Sequence, residues 1–180
     1  VLGVKWTPKK GKPRSGTGYK LVFIFIFELF LICQYIPLNG MILYCLPTSN
    51  ECATLSAFKP AELICLEPVE EKIYHLDNLS KKSVGTTIIK TFLGSVNNKA
   101  DLNKVFLDNR PQIVFHAAAY KHVPIQELHP WQAIRTNIGG TKNLIELCDK
   151  FEVEKFVLVS TDKAVNPVNV MGASKRAAEK

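Results

Sequence analysis

The sequence contains no glycine between Gly40 and Gly85, although the whole chain has ten. A loop that wraps a phosphate needs closely spaced glycines, because its backbone amides must approach the oxygens without a Cβ in the way. The gap therefore excludes a glycine-rich phosphate loop from residues 41–84. Residues 15–18, SGTG, are rich in glycine, but they precede a long apolar run and predict a flexible tail.

Cysteine is scarce and scattered: there are five residues, an odd number, and no Cys-x-x-Cys pair. Such a set excludes a disulfide framework and argues against a cysteine-based metal site. Cys65 and Cys148 lie in apolar strand and helix patterns, where a thiol packs as a small hydrophobic side chain. We therefore expect no metal site and a reducing, cytoplasmic environment.

Acidic side chains are missing from the first twenty residues. Six lysine and arginine residues there account for six of the seven net positive charges of the chain. The remainder is nearly neutral, which excludes an extended basic surface, and we expect no nucleic-acid partner. The basic run has two interpretations, a solvated tail and a binding arm, of which the tail is the more common.

Long apolar runs are also rare, and the clearest is LVFIFIFELFLICQY at residues 21–35. It is shorter than the roughly 20 residues that span a bilayer, Glu28 lies in its middle, and no small-residue cleavage site follows it. Three interpretations remain open for this run: buried core, membrane association and a secretion signal.

From residue 111 onward, apolar runs alternate with helical periodicity. The runs at 112–115 and 155–159 predict buried parallel strands. The apolar positions between them predict one crossover helix of about twenty residues. Gly139 and Gly140 inside this helix cost about 1 kcal/mol each relative to alanine. That cost indicates a close approach by another element, a neighbouring strand rather than a ligand.

Residues 58–110 predict two further strand–helix units. Residues 63–66 form a buried strand that ends at Glu67, and an amphipathic helix follows. Residues 87–93 form the next strand, and residues 100–108 form a short helix. Strands that alternate with helices in this way predict an α/β fold with a parallel sheet, in which ligands bind beyond the carboxyl ends of the strands.

Four segments resemble one known family: FHAAAYKHVP, TNIGGTKN, VLVSTDKAVNP and NVMGASKRAAE. They are similar to the CapD-like polysaccharide-biosynthesis nucleotide-sugar 4,6-dehydratases, a branch of the extended short-chain dehydrogenase/reductase superfamily. The resemblance covers residues 58–180 and is absent before Phe58. It implies a Rossmann-like doubly wound parallel sheet, incomplete at both ends, over residues 58–180. Residues 1–57 are expected to form an atypical basic and hydrophobic segment.

The resemblance implies a lyase that removes water from a UDP-N-acetylglucosamine-type nucleotide sugar through transient oxidation at C4, in surface polysaccharide biosynthesis. It implies NAD or NADP as cofactor. Glu67 favours NAD, because the carboxylate would accept hydrogen bonds from the adenosine ribose and repel a 2′-phosphate. Ser95 and Val96 stand at the adenine, where the family usually has aspartate in place of Ser95. The small loop over the cofactor is assigned to three residues: His116, Ala117 and Ala118.

Met171 stands four residues before Lys175, at the position of the superfamily's catalytic tyrosine. A thioether has no proton to transfer, and members of the CapD-like branch share this departure. The resemblance therefore assigns proton transfer to the residues Thr161, Asp162 and Lys163. Thr161 would bind the C4 oxygen, Lys163 would be the base, and Asp162 would be an acid with a raised pKa. The competing interpretation is a loop salt pair with a helix-capping threonine.

Other site residues follow from the same resemblance. Asn137 would support the lysine through water, and Lys175 would also hold the nicotinamide ribose. The residues expected to face the substrate are Tyr120, Lys121 and His122. Asn169 either contacts the sugar or caps the following helix. For Asn137 and His122 the competing interpretation is a purely structural role.

The resemblance predicts a glycine loop roughly ten to twenty residues before Phe58, where this sequence has none. We also expect the C-terminal substrate lobe to lie beyond Lys180, so the polypeptide is interpreted as a fragment with little activity. A truncated or frame-disrupted gene would produce this pattern. The alternatives are a non-catalytic Rossmann fragment with an exposed sheet edge and a nucleotide-sugar epimerase. Intact relatives are expected to form homo-oligomers.

Overall fold

The computed structural model describes residues 3–5, 20–24, 41–45, 55, 59–81 and 87–180. Its described strands form one seven-stranded sheet. In chain order they are β1 (Gly3–Lys5), β2 (Lys20–Ile24), β3 (Met41–Cys45), β4 (Glu62–Glu67), β5 (Ile88–Leu93), β6 (Ile113–His116) and β7 (Lys155–Val159).

The described helices alternate with strands from β4 onward. They are α1 (Glu70–Lys81), α2 (Lys99–Asn109), α3 (Val123–Leu128), α4 (Pro130–Ala133), α5 (Thr141–Lys150) and α6 (Val170–Ala178). A π-helical segment, Ile134–Gly140, joins α4 to α5, and a 3₁₀ turn, Asp162–Ala164, follows β7. Asn98 caps α2 through its side chain, which accepts hydrogen bonds from the Ala100 and Asp101 amides.

The sheet order is β1-β2-β7-β6-β3-β4-β5. Every pair of neighbouring strands in the part of the sheet that runs β2-β7-β6-β3-β4-β5 is parallel, and β1 is antiparallel to β2. The chain passes from β3 outward to β5 on one side, then returns to β6 and β7 on the other. The strand order therefore reverses between β3 and β6, which creates a crevice at the carboxyl ends of these strands. The predicted Rossmann-like parallel α/β sheet is confirmed.

The central strand, β3, lies between β4 and β6 and was not predicted from the sequence. Residues 21–24 of the apolar run at 21–35 belong to β2, beside β7, and the rest of the run lies outside the described residues. Apolar content alone cannot choose between two candidate strands, because strand position depends on pairing with distant segments. The SGTG segment lies outside the described residues, and so does the region before Phe58 where a glycine loop was sought, apart from β3 and Leu55.

The inner strands are buried along almost their whole length, as parallel strands covered on both faces should be. All four residues of β6 and the last five of β4 are buried, whereas β5, at the sheet edge, is only partly covered. The hydrophobic core joins these strands to α2 and α5, with Phe106 and Leu144 fully buried. This packing orients the carboxyl ends of β4, β6 and β7 toward a common edge.

The predicted crossover helix runs from Pro130 to Lys150 but widens into the π-helical segment at its centre. Such widened turns often occur at functional sites. A Cβ on Gly140 would lie 2.6 Å from Val96 Cγ2, so the element that approaches is the loop after β5, and the expectation of a strand was wrong. Gly139 has no comparable contact, since its nearest neighbour would be the Ile134 carbonyl oxygen at 3.8 Å.

Within the described part of the chain, no helix has the length and apolar character needed to cross a bilayer. In the same residues, no three histidine, cysteine, aspartate or glutamate side chains cluster as metal ligands would.

Candidate functional site

A cleft of about 160 Å³ opens at the carboxyl ends of β4, β5 and β6. It is smaller than the roughly 300–1,000 Å³ of pockets for drug-sized ligands, so it can take one part of a dinucleotide and not the whole. Three of the predicted cofactor residues line it, Ser95, Val96 and Ala118, and so does Tyr120 from the predicted substrate set. Leu66 and Pro68 complete an apolar wall suited to a flat ring.

Glu67 ends β4 between two cleft-lining residues and is fully buried. Its Oε1 accepts a hydrogen bond from the Val69 amide at 3.0 Å and lies 3.6 Å from Lys72 Nζ. Its Oε2 has no hydrogen-bond partner among the described residues. Burial raises the pKa of this carboxyl, against the opposing effects of Val69 and Lys72. A buried acceptor without a donor is costly, so this oxygen fits a ligand that donates hydroxyl groups, such as a ribose.

Ser95 and Asn97 form a turn at the mouth of the cleft. The Ser95 hydroxyl accepts a hydrogen bond from the Asn97 amide at 3.2 Å, and Asn97 Nδ2 donates to Thr136 Oγ1 at 3.0 Å. Asn97 and Thr136 both line the cleft, and the sequence arguments had missed them. An asparagine four residues after the end of β5 was the available signal. The contact with Thr136 depends on the crossover helix and could not be read from local sequence.

His116 ends β6 and is fully buried. Its Nε2 lies 2.9 Å from Thr141 Oγ1, and the Thr141 hydroxyl donates to the Asn137 carbonyl oxygen at 2.6 Å. The hydroxyl therefore accepts from His116, which assigns the proton to Nε2. Burial, with a smaller contribution from the Lys175 charge, lowers the pKa of His116 to about 3. The imidazole is thus a neutral support beneath the loop that holds Ala117 and Ala118.

Asn137 lies in the π-helical segment and is 1% exposed. Its Oδ1 accepts from the Tyr120 amide at 2.8 Å, and its Nδ2 donates to the Tyr120 carbonyl at 3.2 Å and to Ser174 Oγ at 2.8 Å. Both Nδ2 hydrogens are therefore occupied. The side chain fixes the backbone of the predicted substrate segment against α6. Water-mediated support of Lys175 stays a prediction.

Lys175 is 7% exposed, and its Nζ donates to the carbonyl oxygen of Val159, the last residue of β7, at 2.7 Å. Burial lowers the pKa of this amine to about 8, and the negative charge of Glu179 opposes that change. Met171 lies one turn earlier on α6 and is 3% exposed. The two residues that the resemblance paired thus share the buried side of one helix.

Thr161, Asp162 and Lys163, here called the TDK turn, follow β7 directly. The Thr161 hydroxyl donates to Asp162 Oδ1 at 2.9 Å, and Lys163 Nζ lies 3.7 Å from the same oxygen. Asp162 and Lys163 are exposed. The Thr161 hydroxyl, then the Lys163 charge, lowers the pKa of the Asp162 carboxyl, so the expectation of a raised pKa was wrong for this structure. Solvent and hydrogen bonds stabilise the charged carboxylate, and burial is too slight to oppose them.

The TDK turn packs against the first turn of α6. A Cβ on Gly172 would lie 2.5 Å from the Lys163 carbonyl oxygen. The Asn169 side chain accepts from the Gly172 amide at 2.7 Å, so Asn169 caps α6, and its contact with a sugar stays a prediction. Because Lys175 binds Val159, two residues before Thr161, the turn and the buried lysine meet at the same end of β7.

The predicted substrate residues Tyr120, Lys121 and His122 are all exposed. Tyr120 faces the cleft, whereas His122 directly precedes α3 without capping it through its side chain. A set of exposed side chains beside the cleft can meet a ligand without rearrangement of the core.

Comparison with known proteins gives a family match over residues 48–180, described as "Polysaccharide biosynthesis protein". The similarity thus begins ten residues before Phe58, where none was expected. The capsular polysaccharide biosynthesis protein CapD of Staphylococcus aureus is 46% identical over 132 residues, 73% of this chain and 22% of that protein. A UDP-N-acetylglucosamine 4,6-dehydratase (inverting) of Campylobacter jejuni is 37% identical over 126 residues, 70% of this chain and 36% of that protein. The chain therefore spans about a fifth to a third of these relatives.

Two solved structures share the fold. Pen from Bacillus thuringiensis superposes with a TM-score of 0.72 at 27% identity, over 80% of this chain and 44% of that one. A UDP-glucose 4-epimerase of Thermus thermophilus in complex with NAD superposes with a TM-score of 0.66 at 23% identity, over 77% of this chain and 48% of that one. The second likeness shows the Rossmann fold alone.

Proposed function

The chain belongs to the polysaccharide biosynthesis protein family, and from this premise we propose that it carries part of a nucleotide-sugar 4,6-dehydratase. The substrate class is a UDP-N-acetylglucosamine-type nucleotide sugar, from which water is removed in surface polysaccharide biosynthesis. The names of the Staphylococcus aureus and Campylobacter jejuni relatives support this reading.

One observation carries the proposal: the buried Lys175 amine and the TDK turn lie at the same end of β7. Lys175 Nζ contacts Val159, and Gly172 packs the turn against the helix that bears Lys175. A buried cation and an exposed acid–base pair at this end of β7 would lie beside the crevice of the sheet. Sugar chemistry that moves protons at neighbouring carbons needs both kinds of group.

The adenosine part of a dinucleotide fits the other half of the site. Glu67 Oε2, buried and without a partner in the described residues, suits the adenosine ribose hydroxyls, and the cleft beside Ser95, Val96 and Ala118 suits the adenine. NAD is favoured over NADP, since a 2′-phosphate would meet the Glu67 carboxylate. When bound, the dinucleotide supplies the hydride exchange with the sugar.

The chain's own residues then account for the proton movements. When C4 is oxidised, the C4 hydroxyl passes its proton to Asp162 through the Thr161 hydroxyl, which already donates to Asp162 Oδ1. Lys163, as the neutral amine, takes the C5 proton, and Asp162 gives its newly gained proton to the departing C6 hydroxyl. Lys163 returns its proton to C5 when C6 is reduced. Asp162 is exposed and its pKa is lowered in the open turn. A bound sugar that displaces water from the turn would raise the pKa of this carboxyl, because desolvation disfavours its charged form. Lys175 holds the nicotinamide ribose, and the neutral Met171 thioether takes no part in proton transfer.

The test has two arms. Calorimetric titration with NAD measures binding, and mass spectrometry of incubations with UDP-N-acetylglucosamine detects the 4-keto-6-deoxy product. We expect Lys163→Ala to lower product formation by about 100-fold or more while NAD affinity stays constant. Lys104→Ala is the matched control, because Lys104 is also an exposed lysine but lies on α2. It should change neither product formation nor NAD affinity. Equal turnover in Lys163→Ala and the unaltered chain would overturn the assignment of the base.

A second candidate is a non-catalytic Rossmann module. The absence of glycine between Gly40 and Gly85 favours it, because a pyrophosphate needs close backbone approach. Absence of heat on NAD titration, together with absence of product, would support this candidate. An epimerase, the nearest enzymatic alternative, would give a product of unchanged mass. Homo-oligomerisation and membrane association through residues 21–35 stay predictions, which sedimentation and vesicle flotation would test.

A further inference from the structure

Lys175 holds a positive charge in a nearly closed space. Its side chain is 7% exposed, and one of its three N–H donors goes to the Val159 carbonyl oxygen at 2.7 Å. A buried ammonium that has lost its hydration tends to release its proton unless a negative charge lies nearby. The identity of that negative charge decides how Lys175 behaves near neutral pH.

Glu179 lies one helical turn after Lys175, and its carboxylate is anchored at the same strand end. Oε1 accepts a hydrogen bond from the Ser160 hydroxyl, and Oε2 lies 3.3 Å from Arg176 Nη1. The Glu179 side chain is only 12% exposed. Since Ser160 directly follows Val159, Lys175 and Glu179 form hydrogen bonds with two successive residues at the end of β7.

We propose that Glu179 is a positioning residue for Lys175: its anchored carboxylate supplies the counter-charge that keeps the buried ammonium protonated and directed at the end of β7. Ser160 contributes to this arrangement, because its hydroxyl donates a hydrogen bond that holds the Glu179 carboxylate in place. The role of Lys175 in sugar chemistry rests on the proposed function. The effect of the Glu179 charge on Lys175 is a property of the chain itself and can be measured without cofactor or sugar.

The remaining ionisable groups on the elements around α6 do not supply this charge. They are His116 on β6, Glu127 on α3, Arg135 in the π-helical segment, Asp162 and Lys163 in the TDK turn, and Arg176 on α6 itself. His116 is neutral, with a pKa of about 3. Glu127 is exposed and accepts from the Val170 amide at the opposite end of α6, 2.7 Å away. Asp162 is exposed and paired with Lys163.

The experiment follows the protonation of Lys175 directly. The full chain is prepared with ¹³C,¹⁵N-lysine, and the ¹³Cε shift of Lys175, assigned by its absence from Lys175→Arg, is recorded against pH. In the unaltered chain the midpoint is expected near pH 8. Glu179→Gln keeps the shape and an acceptor for Ser160 but removes the charge. We expect it to lower the proton affinity of Lys175 about tenfold, which moves the midpoint down by about one pH unit.

Two further variants keep the test decisive. Ser160→Ala releases the carboxylate without removing its charge and should lower the proton affinity by a smaller factor. Glu127→Gln removes an acid from the other side of α6 and should leave the midpoint unchanged. A midpoint in Glu179→Gln equal to that of the unaltered chain would overturn the proposal. If Glu179→Gln does not fold, an unchanged midpoint in Ser160→Ala would overturn it instead. Absence of NAD binding or turnover would count against the proposed function alone.

Discussion

Gly172 and Lys163 are in direct backbone contact: a Cβ at position 172 would lie 2.5 Å from the Lys163 carbonyl oxygen. Real Cβ atoms do not approach backbone oxygen so closely, and the oxygen cannot move aside as a flexible side chain would. The TDK turn and the first turn of α6 therefore have one mutual position, which glycine alone allows. This contact brings the exposed Lys163 and the buried Lys175 to one end of β7.

Gly172→Ala should therefore destabilise the chain. Overpacking costs about 1–3 kcal/mol, and the helix propensity gained by replacing glycine returns up to about 1 kcal/mol. A net loss of about 1–2 kcal/mol is expected in the free energy of unfolding, measured by urea denaturation. Gly139→Ala is the matched control, because its Cβ would meet only the Ile134 carbonyl oxygen at 3.8 Å. It should be neutral or slightly stabilising, and an equal loss in both variants would contradict the steric explanation.

Gly140→Ala tests the contact between the crossover helix and the loop after β5. A Cβ there would lie 2.6 Å from Val96 Cγ2, so we expect a loss of about 1–3 kcal/mol. The clash is with a side chain, so Val96→Ala should remove it. In a double-mutant cycle the two changes should therefore be coupled, with the double variant more stable than the sum of single losses predicts. Simple additivity would show that the two residues are not in contact.

His116 should make the chain less stable in mild acid. Its pKa is about 3 in the folded state, against an ordinary value of 6.5. Below pH 6.5 the unfolded state binds more protons, so the free energy of unfolding falls by about 1.4 kcal/mol per pH unit as pH decreases toward 3. Denaturation between pH 4 and pH 6 should show a slope close to this value, which vanishes above pH 7. His116→Asn should flatten it, whereas exposed His122→Asn should preserve it; equal slopes in all three chains would refute the assignment.

Glu67→Gln should raise stability while it weakens dinucleotide binding. Burial raises the pKa of Glu67, so the charged form that prevails at neutral pH is disfavoured in the folded state. This penalty disappears as pH falls through the raised pKa, and glutamine removes it at pH 7. We expect a higher melting temperature at pH 7 and a smaller increase on addition of NAD. Glu62→Gln, which breaks the half-exposed contact with Lys90 on the same strand pair, should lower the melting temperature slightly. A melting temperature of Glu67→Gln at pH 7 that is lower than that of the unaltered chain would contradict the prediction.

Much of the sheet could be predicted from local patterns. The runs at 112–115 and 155–159 correspond to β6 and β7, and the apolar segment ending at Glu67 corresponds to β4. Short apolar runs between helical periods are a strong signal for buried parallel strands. Strand β3 was not predicted, because residues 41–45 are a short run beside the longer apolar run at 21–35, and pairing with β4 and β6 is what selects them.

The candidate site was less accessible to sequence reasoning. The Asp162 pKa was expected to be raised, but exposure and the Thr161 hydroxyl lower it. Asn137 was expected to support Lys175 through water, which stays a prediction, and its hydrogen bonds to Tyr120 and Ser174 were not foreseen. The wrong expectation for Asp162 and the unforeseen bonds of Asn137 have one cause: the state of a polar group depends on burial and on partners distant in the chain. The catalytic and binding roles stay predictions for the experiments above.

By itself, the sequence determined the alternation of strand and helix, the buried character of the parallel strands and the positions of Thr161, Lys163 and Lys175 beside strand β7 and in helix α6. These features depend on neighbouring residues, whose periodicity and turn chemistry are local. Only the tertiary structure decided that β3 is central, that Val96 contacts Gly140, and that Ser160 binds the Glu179 carboxylate next to Val159, to which Lys175 donates. Desolvation and charge pairing depend on which distant segments meet, and that is settled only when the sheet has assembled.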